Sequence, residues 1–317
     1  MSRVVASLAA VALASGLAAC GGDGAEPGAS KEATLVLDFV PNAVHAGIYV
    51  AEAEGYYADE GIDLEIREPG ASTDAPKLLE AGRTEFAVMD INDLGIARQR
   101  GLDVVGIAPI VSVPLAAVIA GDRDEVRRPR DLEGGTVGVT GLPSDDAVLD
   151  SVLEADGADP ASVERVTIGF ESVAALSAGR VDAATAFWNA EGVALHQEGV
   201  PTREFRVDDY GAPRYPELIL VAAADLRHDD RALTEGMEAA TAKGYRDVVA
   251  DPEAGLRTLL DGAEGLDEET QRAQLGTLMD ADAFRVPAPA WSGAMKWIKW
   301  ALERDLIGVQ AREGMFR

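Results

Sequence analysis

The chain has 317 residues, with 55 Asp and Glu against 28 Lys and Arg, for a formal net charge of −27. That excess of acid excludes a general nucleic-acid binder, which needs clustered Lys and Arg. One Cys excludes an internal disulfide framework and, with only three His, leaves little for a Cys- or His-built metal site.

Met1 to Cys20 reads as an export segment. Arg3 supplies a positive start, and the apolar run from Val4 to Leu17 is too short for a bilayer span, which takes about 20 residues. The sequence Leu17-Ala18-Ala19-Cys20 resembles the bacterial lipobox, which implies cleavage before Cys20 and a lipid on its sulfur. The expected organisation is a lipoprotein signal peptide over 1–19, then a Gly-rich flexible tether over 20–33.

From Thr34 strand-like and helix-like stretches alternate. Thr34–Asp38 is a strand, Asn42 caps a helix to Glu54, and Ile62, Leu64 and Ile66 alternate as a strand does. A helix over Asp74–Ala81, a strand at Phe86–Met89, a helix at Asn92–Arg100 and a strand at Val104–Ala108 follow. A second cycle runs Thr136–Thr140 (strand), Ser144–Glu154 (helix), Val163–Ile168 (strand), Ser172–Ala178 (helix), Ala183–Phe187 (strand) and Ala190–Glu198 (helix). Pro216–Ala223 is a strongly apolar strand, and helices follow over Asp229–Ala250, Pro252–Leu260, Asp267–Met279 and Ala290–Leu302. This grammar predicts an α/β chain of two lobes, each a mostly parallel sheet flanked by helices. The helical tail needs a surface to cover, and the first sheet provides it. Lobe one is therefore expected over 34–112 plus 217–317 and lobe two over 113–216, joined by two crossing segments.

Ligands of open α/β sheets bind beyond the carboxyl ends of the strands. Four such loops are Asp38–Gly47, Asp90–Asp93, Gly141–Asp145 and Phe187–Gly192. They carry aromatics, carboxylates and amides, and no Lys or Arg. That chemistry suits a neutral or weakly basic flat ring and disfavours phosphate or sulfonate. The candidate ligand-binding residues are Asp38, Phe39, Asn42, His45, Asp90, Ser144, Trp188 and Glu191. Several have a second reading: Asn42 and Ser144 as helix caps, His45 and Trp188 as core, Glu191 as a first-turn carboxylate favoured by the helix dipole. Trp297 and Trp300, three apart on one helix face, read as packing. No GxSxG, HExxH, P-loop or GxGxxG in a strand–helix setting is present, so no catalytic residue, metal or cofactor is expected.

The stretch LDFVPNAVHAGIYVAEAEGYYADEGIDLEI (Leu37–Ile66) resembles the opening of the thiamine-pyrimidine-precursor family of substrate-binding proteins. PRDLEGGTVGVTGLPSDDAVL (Pro129–Leu149) and FWNAEG (Phe187–Gly192) extend the likeness. The resemblance implies a type 2 periplasmic-binding-protein fold, serving an ABC importer with permease and ATPase partners. It implies a monomer tethered outside the cell membrane through Cys20, with no nucleic-acid partner. The ligand would be a thiamine pyrimidine precursor, with riboflavin or another heterocycle as the alternative. Carried over by position, Asp38, Asn42 and His45 face the cleft from lobe one, and Ser144, Trp188 and Glu191 from lobe two. Phe39 stands where the family often has Trp, and Val44 where a polar residue is common. Fungal pyrimidine synthases share the fold but carry a Cys-rich motif that this chain lacks.

Overall fold

The computed structural model describes residues 30–69, 75–122, 126–285 and 290–316. The expected signal peptide over 1–19 and the lipid site at Cys20 lie outside them. Ten strands form two sheets. The first contains β1 (Lys31–Val36), β2 (Ile62–Arg67), β3 (Phe86–Asp90) and β4 (Val104–Pro109), joined by β10 (Leu218–Ala223), in the order β2-β1-β3-β10-β4. The second contains β5 (Ala116–Gly121), β6 (Thr136–Val139), β7 (Glu164–Thr167), β8 (Ala183–Phe187) and β9 (Thr202–Arg206), in the order β7-β6-β8-β5-β9.

Each sheet has one reversed strand. β10 runs antiparallel to both β3 and β4, and β5 antiparallel to both β8 and β9. These are the strands entered straight after a crossing, from Pro109 to Ala116 outward and from Arg206 to Leu218 on return. A parallel neighbour needs a crossover helix, whereas a chain arriving from the other lobe inserts directly in the reverse sense.

Strands β3, β4, β5 and β10 read as continuous apolar runs because helices cover both sheet faces there, whereas β2 alternates buried and exposed side chains. In β3, Phe86 and Val88 join one core while Ala87 and Met89 join the other. In β10, Leu220 and Ala222 alternate with Ile219 and Val221 in the same way. One core of lobe one lies under helices Ala46–Ala53, Arg231–Ala250 and Pro252–Gly262. The other lies under Ile91–Gln99 and Ser292–Glu303, where the Trp297 indole N–H donates to Asn92 Oδ1 at 2.9 Å. Trp297 and Trp300 are both buried there. The chain end is tied to the same lobe by Arg98, whose Nε donates to the Ala311 carbonyl at 2.8 Å.

The first strand begins at Lys31, inside the stretch expected as tether, because Lys31 to Val36 pairs in parallel with Ile62 to Arg67. β5 and β9 were not anticipated as strands. The helix expected from Asn42 is a 3-10 turn, Ala43–His45, followed by Ala46–Ala53; the one expected over Asp229–Ala250 runs Arg231–Ala250 and is preceded by a short helix, Ala224–Asp229. No helix among the described residues is long and apolar enough to cross a membrane.

Candidate ligand site

A cavity of about 420 Å³ is lined from both sheets' carboxyl ends and the loops beyond them. That is within the usual range for small-molecule pockets, roughly 300–1,000 Å³. Six of the eight sequence candidates reach its wall: Asp38, Phe39, Asn42 and Asp90 from lobe one, Ser144 and Glu191 from lobe two.

The lobe-one wall is built by a short hydrogen-bond relay. Asn42 Oδ1 accepts from the Val44 amide at 3.0 Å, its Nδ2 donates to the Val40 carbonyl at 3.0 Å, and its backbone N–H donates to His45 Nδ1 at 3.2 Å. With Nδ1 accepting, the ring proton of neutral His45 lies on Nε2, which donates to Asp38 Oδ1 at 2.8 Å. Asn42 is thus both cap and cavity wall. His45 is fully buried behind Asp38 and is absent from the cavity wall. The expectation that it faces a ligand is corrected: both its ring nitrogens are used to hold the loop.

Trp188 is the second correction. Its indole is buried, with the N–H donating to the Pro114 carbonyl at 3.0 Å and the Arg206 guanidinium 4.2 Å above the ring. It braces the crossing segment and lines no part of the cavity. Phe187, the last residue of β8, does; Trp188 lies in the turn just past the strand, which carries its indole to the Pro114 carbonyl.

The aromatic walls are Phe39, Phe170 and Phe187. Phe39 from lobe one and Phe170 from lobe two meet edge-to-face, with centroids 4.9 Å apart. Phe170 lies in the loop after β7, which the sequence analysis did not inspect. Lys77 and Arg100 also line the cavity, from helices rather than strand-end loops, so it is less free of cations than the loops suggested.

Five carboxyl groups face this space: Asp38, Asp90, Asp93, Asp145 and Glu191. Burial raises Asp90 and Asp93 well above the ordinary carboxyl range and raises Asp145 as well. Ser144 is the second residue of helix Pro143–Ala155, where Leu142 is the cap, so its expected cap role is corrected. It lies beside Asp93 and opposes that rise. Glu191 opens the helix Glu191–Gln197, and its carboxylate accepts from the Phe187 amide at 3.1 Å. Burial pushes it up to about 7.

Asn189 is the residue the sequence analysis missed. It is fully buried on the cavity wall, and neither its Oδ1 nor its Nδ2 has a hydrogen-bond partner among the described residues. Buried amides are nearly always paired, so one that is not is aimed at something else.

Residues 42–255 match the family described as "NMT1/THI5 like". The chain belongs to that family. It is 32% identical over 291 residues to a formylaminopyrimidine-binding protein of Halalkalibacterium halodurans, covering 87% of this chain and 88% of that one. It is 28% identical over 175 residues to a 4-amino-5-hydroxymethyl-2-methylpyrimidine phosphate synthase of Legionella pneumophila, covering 55% of each. Among solved structures, an alkanesulfonate-binding protein of Xanthomonas axonopodis bound to MOPS superposes with a TM-score of 0.71 at 13% identity, over 90% of this chain and 98% of that one. The fold is therefore the two-lobe α/β fold of periplasmic binding proteins, as the resemblance implied.

Proposed function

We propose that this chain is the extracytoplasmic substrate-binding component of an ABC importer. It closes its two lobes (34–112 with 217–317, and 113–216) on a small planar N-heterocycle, a thiamine pyrimidine precursor of the formylamino or hydroxymethyl kind. The observation that carries this is the Asn189 amide, buried with a free donor and a free acceptor beside Glu191 and the phenyl walls. An aminopyrimidine edge offers the complementary N–H donor and ring-nitrogen acceptor. The carboxyls of Asp38, Asp90 and Glu191 are further partners for N–H and O–H groups, with Asn42 and Ser144 shaping the walls. Phe39, Phe170 and Phe187 give the ring apolar faces, each aromatic contact adding about 0.5–1.5 kcal/mol beyond burial. The similarity to a formylaminopyrimidine-binding protein supports the same class.

The chain delivers its ligand unaltered, as a monomer tethered through a lipid on Cys20 and working with a permease and an ATPase. Heating the purified protein with hydroxymethylpyrimidine or its formylamino form is expected to raise the melting midpoint. Saturation at about 100 times Kd adds roughly 2.7 kcal/mol to the folded state. A shift with riboflavin or an alkanesulfonate and none with either pyrimidine overturns the ligand class.

Glu191 gives a pH prediction. Its carboxyl is raised in the folded protein, so the stability tied to its proton is complete below the ordinary range near 4.5 and is lost as pH rises through about 7. The side chain opens on the cavity, and solvent there reduces the effect to the order of 1–2 kcal/mol. Glu191→Gln is expected to remove that part of the decline in a melting series from pH 4.5 to 8. An unchanged decline places the Glu191 carboxyl in ordinary solvent.

A further inference from the structure

A second cavity, of about 610 Å³, lies against the two crossing segments and shares no lining residue with the ligand cavity. Ser112 lines it from the first segment, Arg214 and Pro216 from the second. The segments are tied to each other close by: Glu217, fully buried just before β10, accepts through Oε2 from the Leu115 amide at 2.6 Å and the Ala116 amide at 3.0 Å. Both are also fastened to the turn after helix Glu268–Asp280. The Ala283 carbonyl accepts from the Ser112 amide at 2.6 Å, and the Ala281 carbonyl accepts from Arg214 Nη2 at 2.8 Å. Helix Ser292–Glu303 starts at the same place. A Cβ on Gly293 would lie 3.1 Å from Pro216 Cδ and 3.2 Å from the Arg214 carbonyl oxygen, so glycine lets the first helical turn approach the second crossing segment.

The wall of this cavity is cationic on a chain that is not. Arg214, Arg285 and Lys296 stand against Asp280 and Asp282, one positive charge in surplus where the whole chain carries −27. The two acids leave the cations largely available. Arg285 is 3.7 Å from Asp282 with both side chains mostly exposed, and such a pair is worth little. Arg214 spends one N–H on Ala281 and keeps the rest of its fork. Lys296 has no ion pair or hydrogen bond among the described residues. Ser292 and Gly293 bring the start of their 12-residue helix to the wall; Trp291 at its cap makes no side-chain hydrogen bond, and its first turn holds no acid. The positive end of that helix is therefore uncompensated by these residues. Ser112 points the same way. It is 8% exposed, and its hydroxyl has no hydrogen-bond partner among the described residues, although buried hydroxyls are nearly always paired.

We propose that this cavity is a hinge site for a free tetrahedral oxyanion of the phosphate class. Its donors belong to three separate parts of the chain: the Ser112 hydroxyl, the Arg214 guanidinium, and the Arg285, Lys296 and helix-start groups of lobe one. An anion with oxygens on every side can be met from several directions, whereas a carboxylate presents its two oxygens in one plane. The amides and dipole at a helix start favour the same charge. The acidic body is repelled by anionic headgroups, so the oxyanion is one in solution rather than one in a membrane surface. Held there, it bridges both crossing segments to the lobe-one helices and fastens the hinge from outside the ligand cavity. The site stands whatever the ligand cavity binds.

The test is calorimetric titration of ligand-free protein with inorganic phosphate at pH 7.5, the ionic strength being fixed with sodium chloride. Wild type is compared with Ser112→Ala, Arg285→Gln, Lys296→Gln and, as a control, Lys299→Gln. Lys299 lies on the same helix, lines no part of the cavity and faces Glu303 at 3.7 Å. Wild type is expected to bind one phosphate. Arg285→Gln and Lys296→Gln should each weaken it by about fivefold or more, through a lost charge-assisted hydrogen bond. Ser112→Ala should weaken it by about threefold and leave the melting midpoint of the phosphate-free protein unchanged or higher, since no bond within the described residues is lost. Lys299→Gln should bind as wild type does. No phosphate binding by wild type overturns the site. Equal loss in Lys299→Gln and Lys296→Gln overturns it in favour of unspecific attraction to the helix surface. Wild-type affinity in Ser112→Ala overturns the placement of the anion at the crossing segments.

Discussion

Gly244→Ala is expected to destabilise the protein by 3 kcal/mol or more, at or beyond the top of the roughly 1–3 kcal/mol range for overpacking. Gly244 lies in helix Arg231–Ala250, where this helix crosses Ala46–Ala53. A Cβ there would lie 2.0 Å from the Gly47 carbonyl oxygen and 2.8 Å from the Ala51 amide nitrogen. Both are backbone atoms, so no rotamer change relieves the clash. Gly47 faces the reciprocal constraint, a Cβ there being 2.4 Å from the Tyr245 ring. The propensity gain of alanine over glycine in a helix, about 1 kcal/mol, is too small to compensate. Gly276 is the control. It sits in helix Glu268–Asp280 with nothing within 4 Å of its added Cβ, so Gly276→Ala should stabilise by about 0.5–1 kcal/mol. Urea midpoints of the two variants should move in opposite directions from wild type. A Gly244→Ala protein as stable as wild type would refute the close crossing. The effect also reaches the cavity: helix Ala46–Ala53 starts next to His45, and Tyr245 holds the Val44 carbonyl through a 2.6 Å hydrogen bond. Pushing the helix away moves the ring that holds Asp38.

The two-lobe plan was legible because strands such as β3, β4 and β10 are buried on both faces and so announce themselves as apolar runs between helix signals. β5 and β9 were hidden for opposite reasons. β5 (AAVIAG) is rich in small residues with weak strand preference and sits where a crossing was already expected. β9 (TREFR) is a charged edge strand with one buried side chain, Phe205. At the site, loop position was legible and side-chain direction was not. Asp38, Asn42 and Glu191 follow from lying beyond strand ends. Trp188 was misread because the turn after β8, invisible in the sequence, carries its indole to the Pro114 carbonyl. Asn189 and Glu217 carry no pattern at all, since burial of a lone polar residue is settled by chain segments far away in sequence. For Glu217 the partners are Leu115 and Ala116, about a hundred positions earlier. The one available signal was an acid at the mouth of the wholly apolar run LILVAA.

Asn189→Leu is expected to weaken pyrimidine binding by at least tenfold and to leave the ligand-free protein as stable as before, or more so. The opposite signs follow from the same observation. A buried amide without partners costs about 1–3 kcal/mol in the folded protein, and an apolar group of similar volume does not bear that cost. A ligand that pairs with both amide atoms recovers the cost on binding, and the leucine protein has nothing to recover. Leucine's bulk could weaken binding by obstruction alone, so Asn189→Ala is measured beside it; both should lose affinity. The decisive readout crosses protein with ligand. Replacing the amino group of hydroxymethylpyrimidine by methyl should cost the wild type a similar factor, because the Asn189 acceptor is then left unpaired. It should cost the Asn189→Ala protein much less, since the partner is already gone. Calorimetric affinities for the four combinations give the coupling energy directly. Strict additivity would mean that Asn189 and the amino group do not meet, and the amide would then belong to the architecture of the Phe187–Glu191 turn rather than to recognition.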